Sequence, residues 1–345
     1  MTSFSTLTRT LSRGLSRRHA LRSVCLAATV VAGLAPATGA LAQTASYPNK
    51  PVRIIVGFPA GTGPDIVARL LAQKLSEGWG NLGVIVDNKP GAGGQIAAAQ
   101  VKQAEADGHT IYVAATEMFA INQNLFRKFS YDPVKDFAPV TSLIASPLVL
   151  VVSSNSTANS VTDLVQLAKA RKDGLNFASQ GLGSIGHLLG ELFRGKTGGT
   201  YQHVPYKGSA PALQDVISGR VDMMFDPFIS TGPLIAGKKL KPLAIAAPRR
   251  AAQLPDVPTL GELGIQGVDA GVWFGAVVKA GTPAPAIAKL NEAFLKALNE
   301  PDIQKRFAEQ GMQAFPSTPA QFGSFIQSEV ARWAPLIKSS GATID

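Results

Sequence analysis

Two glycine-rich segments carry the residue types that bind anions. One holds Gly61, Thr62 and Gly63, and the other holds Gly91, Ala92, Gly93 and Gly94. Glycine lets a ligand approach the backbone and leaves N–H groups exposed, and a following helix N-terminus adds partial positive charge. Glycine also serves any tight turn, so either segment alone favours a structural role. Two such loops at one sheet edge favour an anion site built from main chain.

A third segment, Gly181-Leu182-Gly183-Ser184-Ile185-Gly186, follows a predicted strand and precedes a predicted helix. Its spacing matches the dinucleotide-binding fingerprint. However, the next strand leads into Lys207, and no acid stands there to hold a ribose hydroxyl. We therefore interpret this loop as donating Ser184 and backbone N–H groups to an anion, with an ordinary glycine turn as the alternative.

Ser184 and His187 raise the possibility of hydrolysis. The hydrolase elbow needs glycine two residues before the serine, where this chain has Leu182. The two residues also lie within one helical turn and have no obvious orienting acid. We expect no catalytic site. A ligand contact and a structural role remain equally open for His187.

Metal and cofactor sites are not predicted. His109, His187 and His203 are far apart in the sequence, and none has a neighbouring residue at metal-ligand spacing. Cys25 is the only cysteine. It falls in the predicted export signal, so the exported chain would have no thiol for a disulfide or a metal.

Three charged residues stand at predicted strand ends without a motif to explain them. Lys207, within Tyr206-Lys207-Gly208-Ser209, could meet a carboxylate or could be a solvated loop lysine. Glu117, after Thr116, would repel a second carboxylate unless it meets an amine or hydroxyl of the ligand. Asp226 occupies the comparable edge of the second half of the chain. Either acid could instead cap a helix.

The elements that must position these residues alternate between strand and helix. Val52-Arg53-Ile54-Ile55-Val56, Val84-Ile85-Val86 and Thr110-Ile111-Tyr112-Val113-Ala114 are apolar strands, and helices follow from Pro64 and Gln95. Continuous apolar strands of this kind favour a parallel sheet covered on both faces. The pattern restarts at Leu148–Val152, and helices dominate after Val278.

We therefore predict an α/β fold of two lobes with two doubly wound sheets joined by crossing strands. Residues 43–142 and 270–345 would form the first lobe, with the C-terminal helices returning to it, and residues 143–269 would form the second. We found neither a repeat of fixed period nor a low-complexity linker.

Residues 1–42 have the composition of a secretory signal. They contain five arginines and no acid, then an apolar run from Val24 to Leu34 and Ala40-Leu41-Ala42 before Gln43. We expect export by either the general or the twin-arginine route, with cleavage of the signal near Ala42. Losing five arginines lowers the net charge from +10 to +5, which favours neither nucleic-acid binding nor membrane insertion.

Most of the chain after Tyr47 resembles one protein family. The resemblance rests on Tyr47-Pro48-Asn49-Lys50-Pro51-Val52-Arg53, Phe58-Pro59-Ala60-Gly61 with Asp65-Ile66-Val67-Ala68-Arg69, Asn88-Lys89-Pro90-Gly91-Ala92-Gly93-Gly94, Tyr131-Asp132-Pro133-Val134-Lys135-Asp136-Phe137, His203-Val204-Pro205-Tyr206-Lys207-Gly208, Leu254-Pro255-Asp256-Val257-Pro258-Thr259 and Trp273-Phe274-Gly275. These ordered segments are similar to those of the Bug-type solute-binding proteins of tripartite tricarboxylate transporters.

The resemblance implies a periplasmic binding protein of the Venus-flytrap type (type II-like), most simply a monomer, and not an enzyme. Its ligand would be a small carboxylate (a di- or tricarboxylate, an aromatic acid or an amino acid) passed to a membrane permease. Residues Phe58–Asp65, including Ala60, and Gly91–Gln95 would clamp one carboxylate. Residues Gln180–His187, including Gly183, would read the rest of the ligand.

The sequence departs from the family pattern in three places. Gly61-Thr62-Gly63-Pro64 replaces a paired glycine, Glu117 stands where small or hydroxylated residues are usual, and Gly186 precedes His187 where serine or threonine is common. The last two changes favour a ligand whose second group is neutral or cationic. A sensor that presents its closed form to a membrane kinase, and less favourably a secreted serine hydrolase, are the alternative functions.

Overall fold

Three short apolar segments build the parallel part of a first sheet. The computed structural model describes residues 47–345, so the predicted signal peptide, its cleavage position and Cys25 lie outside the described residues. The strands are β1 (Val52–Val56), β2 (Val84–Asn88) and β3 (Thr110–Ala115). β1 lies between β2 and β3 and pairs with both in parallel. This arrangement confirms the predicted parallel sheet.

Helical segments follow each of these strands. They are α1 (Gly63–Gly78), α2 (Gln95–Gln103), a π-helical turn (Glu117–Ile121) and α3 (Asn122–Leu125). Pro64 lies in the first turn of α1, where its missing N–H costs no hydrogen bond. The buried face of α1 includes Val67, Leu71 and Leu75.

The next strand, β4 (Phe137–Ser153), belongs to two sheets. Residues 137–147 pair antiparallel with β9 (Gly271–Lys279), which brings β4 into the first sheet. Residues 148–153 pair with β7 (Met223–Pro227) and β8 (Leu240–Ala246) of the second sheet. The sequence identified only the second half as a strand. The first half does not look like a strand in the sequence, because it contains Pro139, Pro147 and several serines. Its register against β9 also shifts twice.

The second sheet repeats the strand–helix alternation. Its parallel strands are β5 (Leu175–Ser179), β6 (Tyr201–Pro205) and β7, with β5 in the middle. The helices are α4 (Val161–Ala170), α5 (Ile185–Thr197), α6 (Ser209–Ile217) and α7 (Phe228–Ala236). The sequence did not predict α7, because Gly232 and Pro233 interrupt its helical pattern.

The C-terminal segment returns to the first sheet. It comprises α8 (Ala284–Leu298), α9 (Pro301–Glu309), β10 (Gln313–Ala314) and α10 (Pro319–Ser340). α8 packs against α1 and β4, and α10 packs against the π-helical turn, β4 and α5. Buried Glu329 of α10 accepts hydrogen bonds from the indole nitrogens of Trp273 and Trp333, each at 3.1 Å, and so fastens α10 to β9.

Among residues 47–345, no helix combines the length and the apolar character that crossing a membrane requires.

The contact between α10 and β9 gives a stability prediction. A Cβ added at Gly275 would lie 2.0 Å from Cζ of Phe322. We therefore expect Gly275→Ala to lower the free energy of unfolding by about 1–3 kcal/mol, the usual cost of overpacking a core. The measurement is urea denaturation of the exported form of the chain.

Gly195→Ala is the matched control. Gly195 lies within α5, where an added Cβ meets nothing within 4 Å. Alanine there should raise stability by about 0.5–1 kcal/mol, because it has the higher helix propensity. Equal stability of the two variants would contradict the packing of α10 directly on the β9 backbone.

Candidate functional site

The two first-sheet loops leave neighbouring strands at the same level. Val56 and Asn88 are register partners at the carboxyl ends of β1 and β2. Side-chain Nδ2 of Asn88 donates to the carbonyl of Phe58 at 3.0 Å, and the N–H of Lys89 donates to the carbonyl of Val56. The loops that follow, residues 57–62 and 89–94, are therefore fixed side by side, as the sequence predicted.

Both loops need glycine for their backbone conformation. The angle φ is +80° at Gly61 and between +61° and +122° at Gly91, Gly93 and Gly94, and even Ala92 has a φ of +47°. Side chains with a Cβ are strained in this region.

Not all of these amides are available to a ligand. The N–H of Gly61 donates to Asp65, and that of Gly94 donates to the carbonyl of Gly91. The N–H groups of Gly63, Ala92 and Gly93 have no acceptor within residues 47–345. The candidate anion site is thus narrower than the sequence suggested, because the amides of Gly61 and Gly94 are already used, while the free amide of Gly63 lies at the N-terminus of α1.

Asp65 supports the first loop from inside. It is buried, and its carboxylate accepts hydrogen bonds from Gly61 N–H, Asn88 Nδ2 and Arg69 Nε at 2.8–3.0 Å. Burial alone would raise the pKa of Asp65, but these three donors outweigh it and hold the pKa below its ordinary value. Asp65 therefore positions the loop, and this role differs from the direct ligand contact expected from the sequence.

Thr116 and Gln95, two further predicted site residues, also have structural partners. The buried Thr116 hydroxyl bonds to the backbone N–H and carbonyl of Trp273 and so connects β3 to β9. The side-chain carbonyl of Gln95 accepts the N–H of Ser130. Glu117 differs from both, because its side chain is partly exposed at the end of β3.

The second-sheet loop is held by His187. Its Nδ1 accepts the N–H of Gly183 at 3.0 Å, so the neutral ring must carry its proton on Nε2. Ser184 caps α5 by accepting the backbone N–H of His187. The two side chains do not form the nucleophile–base pair considered from the sequence. His187 has the structural role that was one of its two open interpretations.

His187 and His203 are neighbours in the fold, although 15 intervening residues separate them in the sequence. Their rings stack at 3.9 Å between centroids, and His203 stacks in turn on Phe177 at 4.9 Å. His203 Nε2 also lies 2.6 Å from Ser179 Oγ. Their separation in the sequence gave no sign of this contact. Within the described chain, however, no three His, Cys, Asp or Glu side chains gather as metal ligands.

Asp226 lies beneath the loops of the second sheet. It is fully buried, and its Oδ1 accepts hydrogen bonds from Gln180 Nε2 and from Ser209 Oγ. Burial raises its pKa to about 7. Asp226 Oδ2 and Gln180 Oε1 are buried without a partner among residues 47–345. Asp226 thus joins the loop after β5 to the start of α6.

Tyr206 and Lys207 have different surroundings. The Tyr206 hydroxyl donates to Asp215 of α6 at 2.8 Å and is therefore committed to the fold. Lys207 is exposed and makes no ion pair with any residue between 47 and 345. Lys207 remains the only one of the two whose polar group is free for a ligand.

Several residues around the loops were not predicted from the sequence. A Cβ at Gly63 would lie 3.4 Å from Phe274 of β9 and 3.9 Å from Ile229 of α7, and one at Gly183 would overlap Leu125 of α3. First-sheet and second-sheet elements therefore meet at both loops. Phe274, Ile229 and Leu125 are apolar, and no sequence signal distinguishes them from ordinary core residues.

A surface groove elsewhere is not the candidate site. Arg69, Gln73, Glu77 and Val86 are among its lining residues, which all come from α1, β2 and the segment between them. None belongs to the glycine-rich loops.

Comparison with known proteins agrees with this geometry. Residues 67–342 match the model of the tripartite tricarboxylate transporter family receptor. The chain belongs to this family. Protein BugT of Bordetella pertussis is 35% identical over 318 residues, which cover 91% of this chain and 97% of BugT.

Solved structures extend the comparison to the whole fold of the receptor. Rpa4515 of R. palustris, solved with adipate, has a TM-score of 0.77 and 34% identity, over 86% of this chain and 100% of that one. MatC of Rhodopseudomonas palustris, with bound malate, has a TM-score of 0.72 and 32% identity, over 84% and 100%. The periplasmic binding protein BugD has a TM-score of 0.73 and 32% identity, over 86% and 99%. The predicted two-sheet binding-protein fold is thereby confirmed.

The support that Asp65 gives to the first loop can be tested by Asp65→Asn. The asparagine side chain would place an NH₂ group where Asp65 now accepts hydrogen bonds from Gly61, Arg69 and Asn88. We therefore expect the free energy of unfolding of the receptor to fall by about 2 kcal/mol. Chemical denaturation at pH 7 measures this loss. Glu292→Gln, which removes an exposed pair with Lys289, should change stability by less than about 0.5 kcal/mol. A loss in Asp65→Asn no larger than in this control would contradict the role.

The stacked histidines predict a loss of stability in acid. Burial lowers the pKa of both His187 and His203 to about 4, against about 6.5 in the unfolded chain. The unfolded state therefore binds more protons between these values. The stability that the folded state gains by keeping the two histidines neutral is complete above pH 6.5 and is lost as the pH falls toward 4.

The measurement is the free energy of unfolding at pH 7.5, 6.5, 5.5 and 5.0. Between pH 6.5 and 5.0, the free energy of unfolding of the His203→Gln variant should fall less steeply than that of the natural receptor. The difference in slope should be up to about 1.4 kcal/mol per pH unit. Parallel curves for the two proteins would show that His203 is not held neutral by the fold.

Proposed function

We propose that this receptor captures a small carboxylate between its two sheets and passes it to the membrane permease of a tripartite transporter. The observation that carries the proposal is the set of free N–H groups at Gly63, Ala92 and Gly93, on loops tied side by side at one sheet edge. Free amides at or just before helix N-termini are suited to a carboxylate oxygen. Phe58, Ala60 and Thr62 would complete this clamp through their loop.

The second sheet would supply the other wall of the cleft. Ile229 lies close to Gly63 and Leu125 lies close to Gly183, so elements of the two sheets approach each other at both loops. A ligand that touches both walls favours the closed state, because only differential affinity shifts a conformational population. We propose that residues 43–142 with 270–345 and residues 143–269 are the two moving lobes.

The ligand class and the partner follow from relatives. Rpa4515 was solved with adipate and MatC with malate, which are both carboxylates, and the family is described as receptors of tripartite tricarboxylate transporters. We propose a periplasmic location after cleavage near Ala42, in keeping with relatives that are called periplasmic. Binding and delivery, without chemical change of the ligand, are the expected activity.

The proposal is tested by thermal shift on the form that begins at Gln43. Mono-, di- and tricarboxylates, aromatic acids and amino acids are screened, with the corresponding amides as negative probes. A ligand at 100 times its dissociation constant should add about 2.7 kcal/mol of stability. A screen in which amides stabilise the receptor as well as carboxylates would contradict an anion site.

Gly63→Val locates the site. Gly63 has no positive φ, and an added side chain would point toward Phe274 and Ile229, so we expect the melting temperature without ligand to stay within about 4 °C. The dissociation constant for the best carboxylate should rise at least about tenfold, because the methyl groups cover the amide. Gly195→Val, in open space on α5, is the control. Equal affinity of both variants would place the site elsewhere.

A further inference from the structure

Glu117 is the one incompletely buried residue in a buried run. Residues 111–122 are otherwise all buried, and only Glu117 is partly exposed. The run ends β3, whose last residue Ala115 is the register partner of Phe274 on β9. Phe274 in turn faces Gly63 of the first loop. Glu117 therefore leaves the sheet where the first loop and β9 meet, at the edge that holds the free amides.

The backbone on both sides of Glu117 is held firmly. Thr116 bonds to the main chain of Trp273, and the carbonyl of Met118 accepts the Tyr131 hydroxyl at 2.6 Å. Phe119 stacks on Trp273 at 5.5 Å with an interplanar angle of 7°. Residues 117–121 form a π-helical turn, an irregularity that often marks functional positions. The fold thus presents this side chain from a rigid support, as specificity requires.

The carboxylate of Glu117 has no partner from another residue. No hydrogen bond or ion pair to it is found within residues 47–345, apart from its own backbone N–H. Burial raises its pKa above the ordinary value for glutamate. A half-buried carboxylate whose only donor is its own backbone N–H costs free energy, and such costs concentrate where a ligand relieves them.

The cations at the first-sheet loops are already engaged. Arg69 bonds to Asp65 and Asn88, and Lys89 pairs with Asp87 at 3.1 Å. Neither is left to balance a second ligand carboxylate beside Glu117. A like charge placed there would be repelled, whereas an ammonium or hydroxyl would supply the missing donor.

We propose that Glu117 sets the specificity of the cleft for carboxylates whose second group is a cationic or neutral hydrogen-bond donor, rather than a second carboxylate. The inference rests on the proposed function, because it assumes that the ligand's first carboxylate occupies the amides of the glycine-rich loops.

The test compares ligands that differ only in the second group. One series is pentanoate, 5-hydroxypentanoate, 5-aminopentanoate and adipate, and a shorter pair is isoserine and malate. Dissociation constants are measured by calorimetry for the exported form, for Glu117→Gln and for Glu309→Gln. Glu309 is exposed on α9, so its variant makes the same charge change away from the cleft.

In the natural receptor the ammonium or hydroxyl member of a series should bind at least tenfold more tightly than the dicarboxylate. Glu117→Gln should lower the affinity for the ammonium ligand at least tenfold and raise the affinity for the dicarboxylate. Glu309→Gln should leave the order of affinities unchanged. The thermal-shift screen identifies the carboxylate class that binds, and the same substitution of the second group is then made in that class.

Two results overturn the inference alone. One is that the natural receptor binds the dicarboxylate of a series most tightly. The other is that Glu117→Gln lowers the affinity for every ligand of the series by the same factor. The second result would arise if Glu117 paired with Lys207 on closure, and Lys207→Gln would then reproduce it. A receptor that binds no carboxylate in the screen overturns the proposed function and the inference with it.

Discussion

The architecture depends on one strand that is shared by two sheets. β4 runs without interruption from Phe137 to Ser153, and its halves pair with different partners. The backbone hydrogen bonds of a single strand fix both sheets in register, so the loops at their carboxyl edges have a defined relation. The register shifts near Pro139 and Ser142 lie in the first half. Bulges of this kind bend and twist a strand locally.

Three acids near the sheet edges illustrate how environment assigns different roles to the same carboxylate group. Asp65 has donors on both oxygens and so serves the loop that it supports. Asp226 is buried, with one oxygen satisfied and the other unpaired among residues 47–345, and burial raises its pKa to about 7. Glu117 is partly exposed and has no partner from another residue in the described part of the chain. The balance of desolvation against available donors separates the internal support from the candidate ligand contact.

Much of the site could be predicted because glycine and strand patterns are local signals. The loops after β1 and β2 follow from the apolar runs and from residues that must adopt positive φ. The proximity of Ile229 to Gly63 and of Leu125 to Gly183 could not be predicted, since Ile229 and Leu125 look like core residues in any helix. The stacking of His187 on His203 was also missed, because it requires α5 to pack over β6. The lobe boundaries remain a proposal.

The sequence by itself determined the alternation of strands and helices, the parallel sheets, the position of the glycine-rich loops and the family. These features depend on periodicity and on backbone preferences that each residue carries with it. The tertiary structure decided which amides remain free, which acids are satisfied and which apolar side chains face the loops. Those outcomes depend on hydrogen-bond partners far away in the chain, such as Asn88 for Asp65 and Trp273 for Thr116. A residue type states what a group can bind, and only the folded chain shows whether that capacity is already used.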